Sequence, residues 1–232
     1  ITGTGNLDIA NGTIKLDGDY PTGTKNVALG DTALDDGSLS GGCNTAIGHA
    51  ALTANTSGEY NTGLGTCALT ANTTGGASTS VGYQSMVANT TGHSSTAVGY
   101  RALCTNSTGC YNTALGRESL EENTTACYNT AVGYHSLRCN TTGTTNVAVG
   151  VGALVANTTA NDNTAVGRSA LVANTTGCRN VSVGSCSLLA NTTGVQNEAI
   201  GYLAMCANTE GGCNVAIGSA LQSNTTGGNN VG

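Results

Sequence analysis

The side chains of this chain that could do chemistry recur at fixed intervals. Asn55, Asn72, Asn89, Asn106, Asn123, Asn140, Asn157, Asn174, Asn191 and Asn224 each begin an Asn-x-Ser/Thr triplet, the acceptor for an N-linked glycan. Asn11 and Asn180 also qualify, whereas Asn208 keeps the spacing but is followed by Thr209 and Glu210. If the turns that carry these asparagines face solvent, as turns must, glycans would form a stripe along the molecule. The competing reading is structural, because Asn-Thr-Thr-Gly makes a good turn. In its favour, the middle Thr is as regular as the third residue, although an acceptor does not need it.

The ten cysteines are the second candidate set. Cys110 and Cys127 stand 17 residues apart. In a stacked repeat of that length their Cα atoms lie about 5 Å apart, inside the range of a disulfide. The bond is expected, and with it an oxidising compartment. No Cys-x-x-Cys occurs and no histidine lies near, which argues against zinc. His49, His93 and His135 are far apart in sequence. There is no phosphate-binding Gly-Lys-Thr loop, His-Glu-x-x-His or nucleophile elbow. No catalytic residue, metal site or cofactor is expected, and the chain does not read as an enzyme.

The elements that position these residues follow from a repeat. A phrase Asn-x-Ala-(Val/Ile/Leu)-Gly, or a close variant, starts at Asn26, Asn44, Asn61, Ser78, Ser95, Asn112, Asn129, Asn146, Asn163, Asn180, Asn197 and Asn214. The first spacing is 18 and the rest are 17. Counting columns from that first residue, the fourth is always a branched aliphatic and the fifth always Gly. The eighth is Ala or Ser, and from the second rung on the ninth is Leu or Met and the twelfth the turn Asn; the last rung lacks one residue, so Leu221 and Asn224 arrive a place early. Short β-branched stretches broken by Gly and Asn-Thr-Thr-Gly are strand and turn chemistry, not helix.

The expected fold is all-β: a parallel β-solenoid of about twelve rungs over residues 26–232, preceded by a cap or strand-donating segment over 1–25 with a strand at Thr13–Leu16. Stacked aliphatics of column four supply the expected core. At about 4.8 Å per rung the rod is about 58 Å long. The Gly after the aliphatic marks a corner that a Cβ would strain, and the turn Asn stack as an amide ladder. Val231 and its neighbours read as the start of a further rung, an open edge suited to head-to-tail joining.

Composition agrees. The chain has 35 Gly, no Phe or Trp, one Pro and 9% charged residues, which suits a thin ordered interior. A net charge of -6, with seven scattered Lys and Arg, excludes phosphate-driven nucleic-acid binding. No apolar run is long enough for a membrane helix. Tyr83, Tyr100, Tyr134 and Tyr202 share column six, while Tyr60, Tyr111 and Tyr128 share column seventeen. Aligned Tyr can stack on sugar faces or bury against a partner fibre, or simply pack locally.

The phrase Asn-Thr-Ala-Val-Gly resembles the head repeats of trimeric autotransporter adhesins. The fuller run from Asn163 to Gly177 resembles Asn-Thr-Ala-Val-Gly repeat arrays in bacterial and phage surface and tail-fibre proteins. The resemblance implies a left-handed β-roll and an extracellular fibre or adhesin, on a cell surface or virion, that forms a homo-oligomer or head-to-tail polymer. The alternative is an ice- or carbohydrate-binding solenoid that uses ranks of Thr45, Thr62, Thr79, Thr96, Thr113 and Thr130. That rank is interrupted by Val147, Val181, Glu198 and Val215.

Overall fold

Three residues of every repeat are extended, and they pair with the same three residues of the next repeat. The computed structural model describes residues 25–232, so the expected cap, its Thr13–Leu16 strand and the Asn11 acceptor lie outside the described residues. Twelve strands, β1 (Val27–Leu29), β2 (Thr45–Ile47) and onward to β12 (Val215–Ile217), form one parallel sheet in strict sequence order. The register never slips: Ala131 pairs with Ala148, and Val132 with Val149. The molecule is a parallel β-solenoid with rungs of about 17 residues.

The rung from Asn129 to Thr145 shows how backbone groups are satisfied. The amides of Thr130, Leu137, Cys139 and Thr141 donate forward to carbonyls of the following rung, at 2.8–3.1 Å. Those of Gly133 and His135 donate back to Leu115 and Arg117, at 2.8 and 3.1 Å. Each rung is thus sewn to both neighbours, the nearest-neighbour logic of solenoids.

Column four is not the core. None of its aliphatics is buried, and exposure reaches 59% at Leu29 and 67% at Ile217. The side chains do stack as expected, but on the outside. Because strand side chains alternate, the inward one is column three, usually Ala, as at Ala46, Ala97 and Ala131. It packs with column eight and with Leu or Met of column nine, fully buried from Leu34 to Met205. The interior is one leucine and two small side chains per rung. Where column three is Ser, column eight is Ser too, and Ser80 bonds Ser85 as Ser182 bonds Ser187. Each buried hydroxyl has its partner across the core.

The core leucines sit at left-handed backbone angles, φ 50° at Leu137 and 53° at Leu52. For an L-residue this conformation costs about 1–2 kcal/mol, while burying a leucine contributes about 1.5–3 kcal/mol. Burial wins, and the turn aims the side chain inward. Columns seven and seventeen take the same conformation, as at His135 (φ 56°) and Tyr128 (φ 63°). The corner glycine is different. Gly133 has φ 130°, and a Cβ there would lie 2.7 Å from the Gly150 carbonyl oxygen one rung on.

These two kinds of positive-φ site give a contrast. Gly133→Ala should cost about 3 kcal/mol or more, from forbidden backbone plus collision. Gly152→Ala, at φ 66° with open space around it, should cost about 1 kcal/mol. Urea unfolding of the two variants beside the parent measures both.

Candidate functional surfaces

The acceptor asparagines of column twelve face inward. Ten of the eleven in that column, Asn55 through Asn208, are fully buried, and Asn224 is half-buried. Asn140 Nδ2 donates to Asn123 Oδ1 (3.0 Å) and to the Gly143 carbonyl (2.9 Å), and its Oδ1 accepts from Asn157 Nδ2 (2.8 Å). Asn224 Nδ2 makes the same two bonds, to Asn208 Oδ1 and the Gly227 carbonyl. The expected amide ladder is therefore present.

These asparagines thus lie on the inner side of their turns instead of facing solvent, and Nδ2, the atom a glycan would occupy, is engaged in that ladder. Asn180 is buried as well. The middle Thr is regular for a structural reason. Thr141 Oγ1 donates to the Thr158 carbonyl of the next rung (3.1 Å), and Thr56, Thr73, Thr90 and Thr124 repeat the bond. Only the third residue of the triplet, such as Thr74 or Thr142, is exposed.

A second buried ladder runs through column one. Asn129 Oδ1 accepts the Asn146 backbone amide (2.9 Å), while Asn129 Nδ2 donates to the Gly143 carbonyl (2.8 Å). Both ladders meet on that one carbonyl, which ties the start of the rung to its closing turn. At Ser78 and Ser95 the shorter hydroxyl continues the link to the next rung, but it bonds Gly76 and His93 instead of reaching its own closing turn.

Cys110 and Cys127 occupy successive rungs as expected. The Cys110 backbone amide donates to Cys127 Sγ (3.1 Å), and the Cys110 thiol donates to the Thr108 carbonyl. Burial, aided by the neighbouring Cys127, pushes the Cys110 thiol up. Cys104 is buried although its column is not a core one.

Three of the seven basic residues, Arg101, Arg117 and Arg138, gather in space. Arg101, Glu118 and His135 follow one another in column seven, with Glu121 and Arg138 beside them in column ten. Arg101 meets Glu121 at 3.0 Å, Arg138 meets Glu121 at 2.7 Å, and Glu118 takes Arg117 at 3.0 Å and His135 at 2.5 Å. Both carboxylates are buried. The guanidinium of Arg117 lies 5.3 Å from the Tyr100 ring and 5.8 Å from that of Tyr134. Tyr83 stacks on Tyr100 at 5.6 Å, so Tyr83, Tyr100, Arg117 and Tyr134 form one continuous stack. Tyr202 stands four rungs beyond it. In column seventeen Tyr111 and Tyr128 stack at 5.0 Å.

The sequence marker of this cluster was the 17-residue spacing of its members, which linear scanning for basic runs overlooks. Chemically it is an ion network in which two guanidinium groups engage each carboxylate, Arg117 and Arg138 at Glu118 and Arg101 and Arg138 at Glu121, with His135 bonded to Glu118 as well. Among the described residues no group of His, Cys, Asp and Glu is arranged to hold a metal ion, and no helix is long and apolar enough to cross a membrane. No family model, curated protein or solved structure matches this chain.

Two outcomes are expected. Asn140→Ala strands Asn123 Oδ1 inside the rod and should lower stability by about 2 kcal/mol. Thr142→Ala, which destroys the same acceptor triplet at an exposed position, should stay within about 0.5 kcal/mol; urea titration separates the ladder role from any glycan role.

The second outcome concerns acid. Burial works to raise the Glu118 pKa, but the hydrogen bonds and charges of Arg117 and His135 outweigh it and hold the carboxyl below its usual range. Its contribution is complete above the unfolded value, about 4.3, and disappears as pH falls through the lower folded value. The urea midpoint should therefore drop on acidification below about pH 5, and drop less steeply in Glu118→Gln.

Proposed function

We propose that the chain is a subunit of an extracellular fibre, a stiff spacer or adhesive shaft whose copies join end to end. The observation that carries this reading is the unbroken register of β1 to β12. A strand edge that accepts the next rung within the chain offers the same hydrogen-bond pattern to a strand of another copy. The interior supports a mechanical role, since its asparagine ladders spend their polar groups on linking rung to rung. The repeat phrase, with its likeness to adhesin heads and tail-fibre arrays, points the same way.

The strand face favours this reading over the ice-binding one. Its threonines are half-buried beside aliphatics that are often more exposed, and valine or Glu198 replaces them in five rungs. That surface is apolar more than it is a regular hydroxyl array.

Negative-stain electron microscopy of the purified chain should show filaments many rods long. Discrete particles about 60 Å long or less, by the rung spacing, at every protein concentration tried would overturn end-to-end growth.

A further inference from the structure

Among the described residues the exposed large apolar side chains gather, with one exception, on one side of the rod. Among the described residues, every large hydrophobic side chain that stands exposed, save Val195, lies on the outer face of the sheet or in the column at either margin. The aliphatics of column four run down the middle. Tyr60, Tyr111 and Tyr128 border them on one side, and Tyr83, Tyr100 and Tyr134 on the other. The turn on another side of the rung presents Thr74, Thr142 and their equivalents instead.

Column four is aliphatic in all twelve rungs, yet the core makes no use of it. A solvated position under no demand would carry polar residues in at least some of twelve repeats. The two outward columns of the strands hold a single charge, Glu198. With its margins the face covers on the order of 1,000 Å² by strand and rung spacings, against about 800 Å² per partner in a stable interface. Contiguous apolar surface of that size marks an interaction site.

We propose that this face packs against the same face of a second copy, two rods side by side with their sheets about 10 Å apart. The occupant is a copy because the fit must hold along the whole rod. Rungs repeat at one spacing, so the ridges of a second solenoid of the same period stay between those of the first, whereas a partner of another period drifts out of step. The face is also self-complementary, apolar against apolar, with tyrosines as its rim. One such face per rod gives a closed two-fold pair and nothing larger.

Glu198 selects the orientation. A two-fold along the rods sets its carboxylate against the partner's Ile200 in the adjoining column. A two-fold across the rods sets it against the partner's Thr45, a hydroxyl that can donate to it, and brings Leu115 opposite the partner's Val132. The pair is antiparallel.

Light scattering after size exclusion, at about 1–100 μM chain, should give twice the 22.8 kDa of the chain, or, where filaments form, filaments two rods wide. The double variant Leu115→Lys, Val132→Lys should give single rods with unchanged circular dichroism and melting, because both side chains lie outside the core, while Thr142→Lys on the turn stays paired. A photo-crosslinker at position 45 should capture the partner near residue 198. Single rods of the parent chain at 100 μM, or pairs that persist in the double lysine variant, would overturn the pairing. Capture near the partner's own residue 45 would overturn the antiparallel arrangement. Filament length is a separate readout, so loss of lateral pairing and loss of end-to-end growth are told apart.

Discussion

A buried amide that must find its equivalent one rung away is the constraint on which this molecule rests. The side chain of asparagine both donates and accepts, so in a column it satisfies the rung before it, the rung after it and a carbonyl of its own turn. Leucine and alanine supply the apolar burial, but apolar contacts tolerate a slip. Buried amides do not, since each one displaced leaves a polar atom without a partner at a cost of about 1–3 kcal/mol. With two such columns meeting at the Gly143 carbonyl and its equivalents, the length of the rung is held as firmly as its width. The left-handed leucines are tolerated inside that frame because neighbours above and below impose the same turn.

Much of this was legible in the residues. The period set the strand order and the register, the glycine of column five announced a corner, and repeated Asn announced a ladder. The core was misassigned for a physical reason. A β-branched residue between small ones looks like the buried member of a strand, whereas here the buried member is alanine, as at Ala131, because the space between opposite walls of the coil is too narrow for more. Leu137 carries no sequence mark of its φ of 50°, since bulky residues ordinarily avoid that region. The turn asparagines were expected outside because turns are; in a coil this thin, a turn has an inner surface as well.

The ion network shows the same geometry at work on charged residues. Arg101, Glu118 and His135 are distant in sequence and adjacent in space only because one period separates each from the next. It secures three rungs in the middle of the rod through buried carboxylates, which are strongly destabilising if left unpaired, and it braces the tyrosine stack through Arg117. A repeat that is uniform in its core and ladder columns thus varies in columns six, seven and ten, where individual rungs acquire their own character.

Because a rung touches only the one before and the one after, a whole period can be gained or lost away from the ion network of Arg101 to Arg138 without disturbing the buried columns of any surviving rung. Each new pair of neighbours meets through the same amides, the same glycine corner and the same leucine. Length is then decoupled from foldability: the rod can lengthen or shorten in steps of one strand spacing, as a ruler is cut.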